Sequence, residues 1–200
     1  MYNTVLFPFN GVTNEELESI FGAGYQLLEM TSATLLEDVL DLQFAVVDLS
    51  GSTYGRPYLV RPTQNAVNPL FNSHTIYKST SHLTKTGTNA DFIGSFIKFT
   101  IPASEDNLFL GANDKLYFAN EAIASKGLRA YFQIHDAPAG VVRRARIVQQ
   151  GNVVTELELI GGEWVDARMN NNGVLKTIEN GQLILIRDGV RYNVMGQIVK

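Results

Sequence analysis

Three glycine-marked turns, Asn180-Gly181, Asp188-Gly189 and Met195-Gly196, crowd into the last stretch of this chain. Around them lie short runs of β-forming residues: Leu175 to Ile178, Leu183 to Ile186, Val190 to Val194, and Ile198-Val199. Asn-Gly and Asp-Gly supply the positive φ angles that a two-residue hairpin demands, so the segment is expected to fold as an antiparallel meander. No other feature narrows the fold class as much.

The same grammar runs through the rest of the chain. Strand signals recur at Tyr2 to Phe7, Tyr25 to Met30, Leu40 to Val47, Pro57 to Val60 and Thr75 to Lys78. They continue at Phe92 to Ile101, Leu108 to Leu110, Lys115 to Phe118, Leu128 to Ile134, Arg143 to Val148, Val153 to Ile160 and Glu163 to Ala167. In the run from Leu40, the residues Leu40, Leu42, Phe44 and Val46 alternate with Asp41, Gln43 and Ala45, which predicts one buried face. Gly111 to Asp114 reads as a hairpin turn, and the polar stretch Ser79 to Ala90 reads as a loop.

One helix is expected, over residues 13–21. Thr13 and Glu16 have capping-box spacing, Leu17, Ile20 and Phe21 share a face, and Gly22 stops the helix. At about two and a half turns it needs a sheet to pack on. The expected fold is therefore all-β: an antiparallel β-sandwich or barrel-like domain with one short helix and a C-terminal β-meander. We divide it into a sandwich-like domain at 1–150, a connecting hairpin with an Asn/Gly linker at 151–173, and the meander at 174–200.

Composition excludes several function classes. Net charge is -4, so no global positive field draws nucleic acid or anionic lipid. The chain has no cysteine, which removes disulfides, thiolate metal sites and cysteine nucleophiles. No run approaches the roughly 20 apolar residues needed to span a bilayer as a helix. Met1 leads at once into a strand signal. We therefore expect a segment of a longer protein whose leader lies outside it.

No catalytic, metal or cofactor set emerges from spacing. His74, His82 and His135 are scattered and fit no metal-ligand pattern. Glu15, Glu16 and Glu18 are expected to be helix charges, and Asp106-Asn107 and Asn113-Asp114 to be turn formers. No nucleophile elbow or phosphate loop occurs, and Gly22-Ala-Gly24 closes a helix where a dinucleotide loop would open one. Arg143, Arg144 and Arg146 read as a solvated strand face. Tyr54, Tyr58 and Trp164 are the candidates for a ligand platform, since flat aromatic faces stack on sugar rings. Core or edge packing is the competing account of all three.

The opening Tyr2-Asn-Thr-Val-Leu-Phe-Pro-Phe9, followed by Glu15-Glu16-Leu17 and Phe21-Gly22-Ala-Gly24, resembles a pattern in large secreted proteins of Bacteroidales. Further matches are Gly55 to Pro62, Asn68 to Phe71, Phe92-Ile-Gly94, Leu108 to Asn113 with Leu116-Tyr117, and Arg129 to Phe132. The tail from Glu179 to Asn193, with Gly196-Gln197, is similar to the carboxy-terminal segment of the same proteins. Residues 150–172 fit the pattern least. The resemblance implies an all-β module, secreted or on the outer cell surface, that carries no catalytic residues.

Two main readings follow. The first is a non-catalytic adhesion or recognition module for a glycan or protein partner. In that reading Leu183, Ile184, Leu185 and Ile186 form a docking strand toward the parent polypeptide, another chain or the export machinery. They are apolar on both faces, so a lone three-stranded sheet leaves one side uncovered. The second is a carbohydrate-active hydrolase on a β-sandwich, which needs paired carboxylates across a cleft. A purely structural or export-related terminal domain is the third.

Overall fold

A computed structural model describes residues 1–47, 49, 53–65, 70, 71, 73–111, 114–137, 142, 144–158, 174–179, 182–187, 190–193 and 197, with side chains described through 153 and at 193 and 197. The chain divides into two compact units, residues 1–157 and 158–200. The first is a β-sandwich with one helix.

Its larger sheet is built from β1 (Asn3–Leu6), β2 (Gln26–Leu36), β3 (Val39–Val46), β4 (Pro57–Arg61), β12 (Arg144–Gln149) and β13 (Asn152–Glu158), in the order β1-β4-β2-β3-β12-β13. The second is built from β5 (Leu83–Lys85), β6 (Ala90–Ser95), β8 (Ser104–Leu110), β9 (Leu116–Ala119) and β11 (Arg129–Ile134), in the order β5-β6-β11-β8-β9. A small ribbon pairs β7 (Phe99–Ile101) with β10 (Ile123–Ser125). Both large sheets are open, so the domain is a sandwich and not a closed barrel. Pairing is antiparallel throughout the second sheet, while in the first β12 runs parallel to β3.

The two sheets meet along an aromatic seam. Phe92 and Phe132 are register partners whose rings stack at 4.4 Å. From the other sheet, Phe44 presents its ring edge-on to both, at 5.8 and 6.2 Å. Edge-to-face contact of this kind adds about 0.5–1.5 kcal/mol per pair beyond area burial. Alongside, Gly94 lets Leu6 press onto the backbone of β6, because a Cβ there would stand 2.6 Å from both Leu6 methyls. Thr4 ties the sheets by hydrogen bonds: its hydroxyl accepts from Ala130 N–H at 3.0 Å, and its carbonyl accepts from Arg129 Nη1 at 2.9 Å.

Helix α1 (Asn14–Phe21) forms as its caps predict. Thr13 Oγ1 accepts from Glu16 N–H at 3.2 Å, and Glu16 Oε2 accepts from Thr13 N–H at 3.0 Å. Gly22 ends the helix at φ +91° and donates to the Glu18 carbonyl. Leu17 and Ile20 are buried, with Phe21 half-buried beside them. Leu17 joins Phe7, Phe9, Val12, Leu27, Tyr58 and Val60 in one apolar cluster, the packing so short a helix requires.

Several local expectations change. The strand from Tyr25 continues to Leu36 because a β-bulge between Met30 and Ser32 shifts the register. Leu28 and Met30 point inward before it, Ala33 after it, so strict alternation cannot follow the strand through. Phe92 to Ile101 is two strands, β6 and β7, separated by a bend at Phe96-Ile97 where Ser95 Oγ accepts from Ile97 N–H. Thr75 to Lys78 forms no strand; Tyr77 N–H donates to the Pro8 carbonyl. The polar stretch from Ser79 carries the short strand β5, paired to β6. Val46, expected inside, is 55% exposed, whereas Asp41, expected outside, is 7% exposed.

Asp41 is covered by its parallel partner. Asp41 and Arg146 are opposite one another in register, and the Arg146 Nε and Nη2 donate to the two carboxylate oxygens at 2.5 and 3.0 Å. Arg144 lies 3.9 Å from Asp38. Ala145 and Ile147 alternate with these arginines and are buried, so β12 has the two-faced pattern its sequence predicts. Arg143 lies outside the described residues.

In the second unit, β14 (Val174–Glu179), β15 (Gln182–Arg187) and β16 (Val190–Asn193) form an antiparallel meander. Register pairs Glu179 with Gln182 and Arg187 with Val190, so each link is two residues long, as the Asn-Gly and Asp-Gly signals require. Asn193 and Gln197 exchange backbone and side-chain hydrogen bonds at the end. Met195-Gly196, Ile198-Val199 and the expected strand Glu163 to Ala167 lie outside the described residues.

Candidate functional site

A cleft of about 370 Å³ opens where the start of β1 passes over the β7/β10 ribbon and the ends of β8 and β11. That volume falls within the range of about 300–1,000 Å³ typical of small-molecule sites. Ile101, Phe109 and Ile123 supply apolar lining, and Thr4, Ser125, Lys126 and Arg129 supply polar groups. Among the described residues that line it there is no carboxylate and no histidine. The combination suits a ligand with an apolar face and a hydrogen-bonding periphery.

The apolar lining is continuous with the core. Ile101 belongs to a cluster with Ile93, Ala119 and Tyr131, against which Phe99, Phe109 and Ile123 pack. The Phe109 ring stacks on Tyr117 at 5.6 Å, and Tyr117 in turn lies across Gly111, where a Cβ would fall 2.7 Å from the ring.

The polar side stands on a tightly fixed turn between β10 and β11. Leu128 takes the left-handed conformation, φ +62°, and donates its N–H to the Ser95 carbonyl at 2.8 Å. At Gly127 a Cβ would lie 2.4 Å from the Phe96 carbonyl oxygen, so only glycine allows this close approach. Lys126 and Arg129 flank that turn. Arg129 is exposed and is held by its bond to the Thr4 carbonyl, the one side-chain hydrogen bond it makes among the described residues. Neither cation has a carboxylate partner among the described residues. At the first strand, Tyr2 donates its backbone N–H to the Asp114 carboxylate, and Arg61 stacks over the Tyr2 ring at 5.6 Å.

The three platform candidates separate. Tyr58 is 1% exposed, and its ring packs against Phe7 in the core at 5.9 Å, with burial pushing its hydroxyl pKa up to about 12. A side chain enclosed this way cannot stack on a ligand at the surface, so Tyr58 is a core residue. Trp164 lies outside the described residues. Tyr54 is half-buried and meets Tyr77 at 5.0 Å and Phe96 at 5.6 Å, two residues the sequence did not single out. Tyr77 is 45% exposed. The rings are tilted by 58° and 47°, giving an uneven aromatic cluster in place of a flat platform. Phe96 connects the two features: its ring meets Tyr54, and its carbonyl lies against Gly127 of the cationic turn.

Leu183 to Ile186 lie in β15, the central strand of the meander, with backbone pairing to β14 on one side and β16 on the other. A partner could therefore meet this strand only on a face; among the described residues the edge strands of the sheet are β14 and β16.

The histidines have local partners. His74 stacks on Phe9 at 4.6 Å, with Nε2 2.7 Å from Glu16 Oε1 and Nδ1 3.0 Å from the Asn10 carbonyl. The Glu16 hydrogen bond raises its pKa above 6.5 against the opposing effect of burial. His135 stands between Asp136 at 2.9 Å and Asp91 at 3.1 Å. His82 meets the Phe99 ring edge-on. Among the described residues, no group of three or more His, Asp or Glu side chains is arranged to hold a metal ion.

Lys126, Arg129 and Phe109 escaped the sequence reading because their value arises from three segments meeting. The one local signal was Lys126-Gly127, a cation beside a turn glycine. Comparison with protein-family profiles, with curated proteins and with solved structures found no match to this chain.

Proposed function

We propose that this chain is a non-catalytic recognition module that binds a glycan in the cleft beneath β1, working as part of a secreted or cell-surface protein. The supporting observation is the lining of that cleft: apolar Ile101, Phe109 and Ile123 beside Thr4, Ser125, Lys126 and Arg129. A pyranose ring has an apolar C–H face and a rim of hydroxyls, so it needs both kinds of surface within one small concavity. The fixed turn and the packed lining make the cleft preformed, which lowers the entropy cost of binding. Most glycoside hydrolases use two carboxyl groups about 5–10 Å apart. The described lining offers none, so recognition is the better reading of this cleft.

The test is a glycan array on the full chain, followed by calorimetry with any hit. Ala124, exposed on β10 and lining the cleft, is the place to block it. Ala124→Trp should abolish binding while leaving the unfolding transition in place. Tyr54→Ala and Tyr77→Ala report whether the aromatic cluster contributes. Binding unchanged by Ala124→Trp would rule out this cleft. An array with no hits, together with capture of a defined protein partner, would replace the glycan by that partner.

A further inference from the structure

Resting on the glycan reading, we infer that the cleft selects a saccharide that carries a carboxylate, such as a uronic or sialic acid residue. The chain has net charge -4, yet the polar side of its cleft carries two cationic side chains, Lys126 and Arg129, and no acidic side chain among the described lining residues. Charges farther away than the Debye length of about 8 Å are largely screened at physiological salt, so the net charge of the whole chain does not set the potential in the cleft.

Both cations sit in a costly and specific backbone. Leu128 holds a left-handed φ of +62° between them, and Gly127 is pressed onto the Phe96 carbonyl. The bond from Arg129 Nη1 to the Thr4 carbonyl ties the guanidinium to β1 before any ligand arrives. Guanidinium forks match planar carboxylates by two parallel hydrogen bonds, whereas an ammonium acts as a point charge. Arg129 thus orients the acid group, and Lys126 adds attraction. The apolar lining formed by Ile101, Phe109 and Ile123 takes the ring face. The nearby Asp114 carboxylate already accepts the Tyr2 N–H and does not line the cleft.

The experiment compares three probes on the full chain: an oligouronide, the same oligosaccharide with its carboxyl groups reduced to alcohols, and a sulfated neutral oligosaccharide of equal length. The oligouronide should bind about tenfold tighter than its reduced form at low salt, with the gap narrowing as salt rises. Lys126→Gln should shrink that preference several-fold without moving the unfolding midpoint. Arg129→Lys, which keeps the charge but loses the fork, should reduce it further. Equal binding of the uronide and its reduced form would overturn the carboxylate preference and leave the glycan reading standing. Equal binding of the sulfated probe would overturn the carboxylate assignment. No binding of any of the three, with no array hits, would overturn both readings together.

Discussion

Glu16 and His74 are 58 residues apart in sequence and share one carboxylate with the helix cap. Glu16 Oε2 accepts from Thr13 N–H at 3.0 Å while Oε1 faces His74 Nε2 at 2.7 Å. A capping contact therefore also anchors the segment around residue 74 to α1.

Glu16→Ala should cost about 1–2 kcal/mol, more than the roughly 1 kcal/mol expected of Thr13→Ala, because it removes both contacts. Chemical denaturation of each single variant and of the Glu16→Ala/His74→Ala pair checks this. The pair should be non-additive; additive losses would show that Glu16 and His74 are uncoupled.

Stability should fall as pH rises above the ordinary histidine value of 6.5. Both ring nitrogens of His135 face carboxylate oxygens, which only accept, so the geometry favours the imidazolium with two N–H donors. The Asp136 hydrogen bond leads in raising its pKa above 6.5, the Asp91 contact adds to it, and burial opposes. A raised folded-state pKa gives a contribution that is complete below the unfolded value near 6.5 and is lost as pH climbs through the folded value. His74 shifts in the same direction. Denaturation midpoints measured from about pH 6 to 8.5 should decline. His135→Gln should flatten that decline, and an unchanged slope in His135→Gln would refute the role of this histidine.

Gly94→Ala should destabilise the sandwich by about 1–3 kcal/mol, the usual cost of overpacking. The added methyl would meet Leu6, which is buried at 1% exposure. Leu6→Ala made together with Gly94→Ala should recover part of that cost, by thermal or chemical unfolding.

Arg146→Ala should cost on the order of 2 kcal/mol. That lies between the roughly 0–1 kcal/mol of an exposed pair and the roughly 3–5 kcal/mol of a buried one. Asp41, 7% exposed with Arg146 in place, would lose its bidentate partner, whereas Arg146 itself is partly in solvent. Asp41→Asn with Arg146→Met should lose less than Arg146→Ala alone if the stranded carboxylate is the main penalty.

Local signals survived wherever the physics is local. The Thr13/Glu16 spacing specified a helix start and Gly22 its end, since a cap is satisfied within one turn. Asn-Gly and Asp-Gly specified two hairpin links in the meander, because positive φ is a property of the residues themselves. Alternation along Leu40, Leu42 and Phe44 gave the buried face of β3 correctly.

The same alternation failed at Val46 and Asp41, where neighbours decide. Asp41 is buried because β12, more than a hundred residues later, lies parallel to β3 and brings Arg146 opposite it. The bulge after Met30 inverted the inward parity of β2, which no period-two pattern can foresee. Tyr58 and Tyr54 are both tyrosines near turns in sequence; only packing made one a core residue and left the other beside Tyr77 at the surface.

The amino-acid sequence by itself determined the all-β class, the single capped helix and the C-terminal meander, since caps, turns and strand periodicity act over a few residues. The tertiary structure alone decided which sheet each strand joined and how Phe44 met Phe92 and Phe132. It alone assembled the cleft, because Thr4, Phe109, Ser125 and Arg129 come from separate strands. Non-local contacts depend on the sum of many weak packing terms, and no short stretch of chain encodes that sum.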